Sequence, residues 1–361
     1  MRSIIKKQIT ILLVAVIFLA AIPLNAFADD GDVAEGTEPA GQEQELEVTA
    51  GWNEDGTVYT DEDGNVLTDC VADIEGVLYY FNENGVVDTF SGWKTIGEDT
   101  YWADEAGTIA NSATIFTVNG TRKRSTRILY YNTRTHKWQK KRIKNARMKP
   151  KTITEPKVYK YLYLFDSDGK LITTKGLFKH NGHYYYGVGN GRVKTGWVAI
   201  DNKAMYFYPK TGTRAAGTKI GYLKIPKWGY LGKAYALGIK QMNKTGWTLR
   251  SAFIFSACLK YKGKKYRAKN SETYAIRGFT KHYGNCFVMA ATFYIQAKLL
   301  GYDVHQIKGK IRRTHSWTEI KQEGKIYVYD PDCTHETGRN AFKIRYGRKG
   351  TLKYNHYHRM N

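Results

Sequence analysis

Apolar residues recur along this chain with different periods, and the changes of period divide it. Ile11 to Leu24 is an unbroken apolar run behind Arg2, Lys6 and Lys7 and ahead of Ala26-Phe27-Ala28. That order of charged, apolar and small residues predicts a cleavable secretory signal over residues 1–28, and the run is short for a membrane span. Residues 29–50 are rich in Asp, Glu, Gly and Gln, nearly without aromatics, and read as an acidic disordered linker. From 51 onward short aromatic runs alternate with glycines. Tyr79-Tyr80-Phe81, Gly85, Gly92-Trp93, Tyr101-Trp102 and Gly107 form one series, and Tyr163-Leu164-Phe165 opens another that runs to Gly212. Tyr80 to Tyr101, Tyr163 to Tyr184 and Tyr185 to Tyr206 are each 21 residues apart, the mark of an array. Each unit predicts an aromatic strand, a turn at Asn84-Gly85, Asp168-Gly169 or Asn190-Gly191, and a second strand headed by Gly-Trp. A lone hairpin cannot bury its aromatics, so residues 51–225 are expected to stack as an all-β hairpin solenoid. The stretch near 121–156, from Thr121-Arg122-Lys123-Arg124 to Lys149-Pro150-Lys151, is strongly basic and breaks the pattern.

Beyond 226 the spacing turns helical. Ala234, Leu237, Ile239 and Met242, then Leu249, Ala252, Phe253, Phe255 and Ala257, predict two helices split near Gly246. A further helix is entered through Gly284-Asn285-Cys286, carries Ala290, Phe293, Tyr294, Ala297 and Leu300 on one stripe, and stops at Gly301. Strands follow: one from Asp303, then Thr314 to Ile320 and Lys325 to Asp330 as a hairpin around Gln322-Glu323-Gly324. Helices followed by antiparallel strands predict an α+β domain over 226–361.

Charge is split along the chain. Residues 29–110 hold 22 Asp and Glu against the single Lys94, so the remainder is far more basic than the overall +23. Such a field favours polyanions, and outside the membrane these are wall polymers such as teichoic acids. No motif points to specific nucleic-acid binding. Four cysteines are too few for a disulfide scaffold in a secreted chain of 361 residues. Cys258 lies in an apolar helical run and is expected to be a buried small hydrophobe, while His305, His335, His356 and His358 are expected in solvent.

Cys286, His315 and Asp330 follow one another as the parts of a thiol acyl-transfer site. The unpaired amides of a first helical turn attract negative charge on sulfur. An imidazole can take the thiol proton and return it to a leaving group, and a carboxylate on its other nitrogen fixes the tautomer. A two-residue loop at either Glu323-Gly324 or Gln322-Glu323 puts His315 and Asp330 on one face of the sheet, whereas an odd-length loop separates them. The Cys286 backbone amide is the first oxyanion candidate, with Asn285, Gln241 or His282 for the second, and Trp317 beside the histidine as a solvent barrier. Zinc is the rival use of these residues, through His282-x3-Cys286 and Cys333-x-His335, but neither spacing matches the usual pairs and no metal is expected.

The repeats over 51–115 and 157–220 resemble the choline-binding and glucan-binding cell-wall repeats of secreted Gram-positive proteins. That resemblance implies aromatic grooves for a sugar or quaternary amine, with Trp93, Tyr101, Trp102, Tyr185, Trp197 and Tyr206 as ligand-facing side chains. The Gly-x-Cys helix entry, the Leu-Gly-Tyr turn at 300–302, the His-Ser-Trp-Thr-Glu-Ile strand and the Tyr-Asp-Pro end are similar to the transglutaminase-like superfamily, whose core is papain-like. By this resemblance Cys286 is nucleophile, His315 general base and acid, and Asp330 the orienting carboxylate, with no cofactor and a peptide or protein substrate. The resulting expectation is a secreted, wall-associated peptidase, amidase or crosslinking transferase. A non-catalytic wall-binding or adhesive protein is the alternative.

Overall fold

A computed structural model describes residues 50–125, 129–132, 137–140, 152–263, 266–347 and 352–360. The expected signal segment and all but the last residue of the expected acidic linker lie outside them. Antiparallel two-stranded pairs dominate the first half, and tight turns explain why. Glu75-Gly76 and Asn181-Gly182 both take positive φ at each central residue, the mirror-image turn whose twist matches paired strands. They close the hairpins Cys70–Ile74 with Val77–Phe81 and Lys175–His180 with His183–Val188.

The phase of the repeat differs from the expected one. Each Gly-Trp strand pairs with the aromatic strand that follows it: Gly92–Ile96 with Asp99–Ala103, and Gly196–Ile200 with Lys203–Phe207. The Asn-Gly and Asp-Gly sites are instead loops closed by one side chain. Asn82 Oδ1 accepts from the amides of Asn84 and Val86, and Asp166 Oδ1 from those of Asp168 and Lys170. Capturing two amides this way holds the following segment against the neighbouring hairpin. Backbone bonds then tie unit to unit, as Val87 to Thr57 and Leu171 to Thr100. Tyr80, Ile96, Tyr101, Ala103 and Ile109 bury one shared core, and Leu162, Leu164, Tyr185 and Val193 another.

The basic stretch departs from the repeat pattern, as expected: its two long strands have 12 residues each where the repeat hairpins have five or six. Strands Thr114–Ser125 and Thr152–Tyr163 pair along their whole length, and Leu129–Asn132 with Lys137–Lys140 form a further hairpin between them.

Among the described residues five helices follow: α1 (Lys233–Thr245), α2 (Leu249–Ala257), α3 (Ser271–Lys281), α4 (Cys286–Leu299) and α5 (Pro331–Thr337). Gly246 ends α1, and Thr248 caps α2 through a reciprocal Ser251 bond. Helix α4 is buried nearly all round, as its apolar sequence requires. It lies on an antiparallel sheet of order Lys325–Tyr329, Thr314–Gln322, Asp303–Lys310, Asn355–Arg359. Thr318 Oγ1 donates to the Ala290 carbonyl and Gln306 Nε2 to that of Phe287. The last hairpins share this core: Ala204 and Leu223 are buried with Ala234, Ile239 and Leu299. Two expectations are corrected here. Cys258 is the exposed C-cap of α2, and His335 is buried at 5% with Nδ1 2.8 Å from the Ala257 carbonyl oxygen. Among the described residues, which include all four cysteines, there is no disulfide, and no helix is long and apolar enough to cross a membrane.

Gly191 shows how close adjoining units lie. A Cβ there would sit 2.4 Å from Leu171 Cδ1, at a φ of 76°. Gly191→Ala is expected to lower stability by about 1–3 kcal/mol. Gly182→Ala, with equally positive φ but open space around it, is expected to lose less. Urea unfolding followed by near-UV circular dichroism measures both.

Candidate active site

Asn285 starts α4 as its N-cap, with Oδ1 accepting from the Val288 amide at 3.3 Å and Nδ2 donating to the Tyr266 carbonyl at 3.3 Å. Cys286 is therefore the first helical residue, 7% exposed, facing a cleft of about 610 Å³. Arg267, Lys308 and Arg313 give that cleft a basic lining, interleaved with Tyr261, Tyr266 and Tyr274.

The hairpin carrying the other two residues turns at Glu323-Gly324, both with positive φ, and pairs Thr318 with Tyr329. Of the two loops expected to work, this is the first. Register then places Asp330 diagonally across from His315, and His315 Nε2 donates to Asp330 Oδ2 at 2.8 Å. Asp330 is fully buried and holds two further roles. It is the N-cap of α5, with Oδ1 accepting from the Cys333 amide at 2.9 Å, and Oδ2 also accepts from the Tyr354 hydroxyl at 3.0 Å. Pro331 at the first helical position completes that helix start.

With Nε2 committed to Asp330, Nδ1 of His315 is the ring atom left for the sulfur. Cys286, His315 and Asp332 each place a side-chain N, O or S atom within 4.8 Å of the others, and Asp332 Oδ2 lies 3.6 Å from His315 Nδ1. Burial lowers the proton affinity of the ring, but the Asp330 carboxylate and the Cys286 sulfur overcome this as charges and hydrogen-bond partners, raising its pKa to about 11. The site therefore favours an imidazolium beside sulfur and carboxylate. Asp332 is pushed up to about 7, chiefly by burial and then by the charge of Asp330, with His315 opposing.

Trp317 lies fully buried with its ring 6.0 Å from that of His315 and near parallel. Its Nε1 donates to the Tyr346 hydroxyl at 2.6 Å, and Tyr346 in turn donates to Glu319. The indole thus shields the imidazole and has no free N–H for an oxyanion. Gly309, opposite His315 in the register, makes room: a Cβ there would meet Trp317 at 2.4 Å. Asn285 is similarly occupied by its cap and Tyr266. Gln241 lies half-buried on α1, outside the residues lining the cleft. His282 caps α3 in the left-handed region. Neither spacing-based zinc pair forms part of the metal-compatible group, which takes Cys286 without His282, Cys333 or His335.

Asp332, Tyr354 and Tyr261 escaped the sequence reading. Asp330-Pro331-Asp332-Cys333 carries the signature of a capped helix start, which would have turned Asp332 back toward His315. No local signal connects Tyr354 to Asp330.

Among the repeat aromatics, Trp93 is 47% exposed, stacked on Phe116 at 5.3 Å and beside Tyr163 at 5.2 Å, with half-buried Trp102 edge-on to Phe116. Tyr101 and Tyr185 do not take the ligand-facing positions expected, because at 4% and 6% exposed they fill hairpin cores. Trp197 Nε1 donates to the Leu299 carbonyl at 3.0 Å, which ties it to the end of α4, with Tyr206 edge-on against it.

No protein-family model matches the chain, and no curated protein sequence matches it. Structural neighbours include choline-binding proteins, an endolysin and a glucansucrase. Choline binding protein F from Streptococcus pneumoniae is 22% identical over 48% of this chain and 43% of its own, with a TM-score of 0.25. The choline binding domain of Spr1274 from the same organism is 15% identical over 39% of this chain and 93% of its own, at 0.15. The modular Cpl-1 endolysin, solved with a peptidoglycan analogue, is 16% identical over 47% and 31%, at 0.14. The chain thus spans less than half of choline binding protein F, and a transglutaminase-like domain draws no support from these neighbours.

The His315 environment has a pH signature. Between the ordinary value of 6.5 and about 11, the folded protein keeps a ring proton that the unfolded chain has released. This stabilisation is complete below pH 6.5 and declines as pH rises toward 11. The urea midpoint is expected to fall from pH 6.5 to 9 as the unfolding free energy drops by at most about 1.4 kcal/mol per pH unit, and Asp330→Asn is expected to flatten this dependence. A wild-type midpoint that holds level across that range contradicts the assignment.

Proposed function

We propose that this protein is a secreted, wall-associated thiol enzyme, whose repeats hold it on wall polymers while Cys286, His315 and Asp330 transfer acyl groups at amide bonds. The observation that carries this reading is the His315 imidazole, held by Asp330 through Nε2 at 2.8 Å with Nδ1 left toward Cys286. In the proposed sequence Cys286 sulfur attacks an amide carbonyl, and the Cys286 backbone amide at the first helical turn faces the developing oxyanion. The His315 Nδ1 proton passes to the leaving nitrogen, leaving a thioester. The neutral imidazole then takes a proton from water or an incoming amine, which displaces the sulfur and restores the pair. Asp330 holds the Nε2–H throughout, and buried Trp317 keeps water from that side of the ring. The basic, tyrosine-lined cleft suits a peptide that carries carboxylate groups, and the charge of the chain beyond 110 suits anionic wall polymers.

A second reading, a non-catalytic wall-binding or adhesive protein, is favoured by exposed aromatics that need no catalytic centre. Trp52, Trp93 and Trp228 are 37%, 47% and 62% exposed.

Full-length protein incubated with a glutamine peptide and a labelled amine, and separately with wall peptides, distinguishes the readings. Turnover is expected in one assay, abolished in Cys286→Ala and reduced about 10²- to 10⁴-fold in Asp330→Asn. Wild type and Cys286→Ala equally inert, with no labelling of Cys286 by a thiol-directed probe, leaves the adhesive reading. Retention on isolated walls is expected to survive Cys286→Ala and to weaken in Trp93→Ala.

A further inference from the structure

Asp332 is a buried group beside the His315 ring that the acyl-transfer sequence leaves unused. It is 7% exposed, and its Oδ1 has no hydrogen-bond partner among the described residues. A buried carboxylate oxygen left unpaired is costly, and this one belongs to a side chain in contact with His315 Nδ1. We propose that Cys286 Sγ, His315 Nδ1 and the Asp332 carboxylate bind one zinc-class divalent cation, which caps the nucleophile and holds the centre latent. Latency rests on the acyl-transfer reading; binding of the cation does not.

The donor atoms fit such an ion with little movement. Tetrahedral zinc, with bonds of about 2.0–2.3 Å, sets neighbouring donors about 3.3–3.6 Å apart. Nδ1 and Asp332 Oδ2 are 3.6 Å apart already, and all three groups lie within 4.8 Å. The support behind the ligands is also in place. Asp330 accepts the Nε2–H of His315 and is itself held by Tyr354. This is the carboxylate–histidine arrangement that presents the opposite ring nitrogen to a metal. Thiolate, imidazole and carboxylate together suit zinc or cobalt over magnesium or calcium. Three protein donors leave a fourth position, and Cys286 opens on the cleft of about 610 Å³ from which water or a competing ligand can enter.

Loading replaces a proton with a metal. The sulfur and Nδ1 each give a lone pair to the cation, and the proton shared by the sulfur–imidazole pair leaves to solvent. No electron changes hands. Sulfur so bound cannot attack a carbonyl, and Nδ1 has no proton for a leaving group, so removal of the cation restores the acyl-transfer state.

The test titrates full-length protein, stripped with a chelator under reducing conditions, with Co²⁺. One equivalent is expected to raise a near-ultraviolet sulfur-to-cobalt band and tetrahedral visible bands, which Zn²⁺ then removes. Cys286→Ala, or prior alkylation of Cys286, is expected to lose the sulfur band, and Asp332→Asn to weaken binding about tenfold or more. Zn²⁺ is expected to protect Cys286 from iodoacetamide. No sulfur band in the wild type, a band that survives Cys286→Ala, or a folded Asp332→Asn that binds Co²⁺ as tightly as wild type overturns the site. The wild-type and alkylated titrations decide the matter even if Asp332→Asn does not fold. The two readings fail separately. A cobalt band without turnover in any metal state refutes acyl transfer and keeps the site, whereas metal-free turnover that Zn²⁺ fails to slow overturns the latch.

Discussion

The α+β half of the molecule depends on one buried carboxylate. Asp330 ends a strand, caps a helix and fixes an imidazole, so three separate folding decisions converge on its two oxygens. Oδ1 takes the Cys333 amide and starts α5; Oδ2 takes His315 Nε2 and the Tyr354 hydroxyl. A buried charge is tolerated only where such donors replace water. The bonds are therefore a condition for the carboxylate being there, and they also orient the ring. Each donor comes from a different segment, so the hairpin register, the start of α5 and the segment around Tyr354 are mutually constrained.

The repeats follow another logic. Their hairpins are too small to hold cores alone, and they solve this by lending side chains to the neighbour. Asx loops and positive-φ glycines set the step between units, and aliphatic residues such as Leu171 fill the space that glycine leaves. At the last hairpins the neighbour is no longer another repeat but the α1–α4 core. Trp197, at a position the repeat pattern assigns to ligand, is consequently drawn into binding the end of α4.

Local signals carried well into the structure. The Gly246 break, the Asn285-Cys286 helix entry, the Gly301 stop and the two-residue hairpin loop all involve contacts a few residues apart, so the chain order specifies them directly. Failures came where partners are distant or where two local readings compete. Asn84-Gly85 and Asn181-Gly182 look alike as dipeptides, yet only the second closes a tight hairpin. In the first, Asn82 intercepts the amides that a tight turn would leave exposed, and the repeat phase shifts accordingly. Tyr101 and Tyr185 share the aromatic character of Trp93, but strand alternation decides which ring faces the core, and that depended on the misjudged phase. His335 looked like solvent histidine because its acceptor, the Ala257 carbonyl, lies far back in the chain. Asp332 is hidden in the sequence because Asp330-Pro331 reads equally well as the end of a strand, whereas in the fold it starts α5.

What most needs measurement is the charge on the His315 ring. Long-range ¹H–¹⁵N correlation on histidine-labelled, metal-free protein reads both ring nitrogens, with His315→Gln supplying the assignment. At neutral pH the account predicts both nitrogens protonated, reverting to the Nε2–H neutral form when Cys286 is alanine and the pH is raised. A neutral ring in the wild type with its proton on Nδ1 would contradict it, because Asp330 would then hold no proton and the sulfur would face no acid.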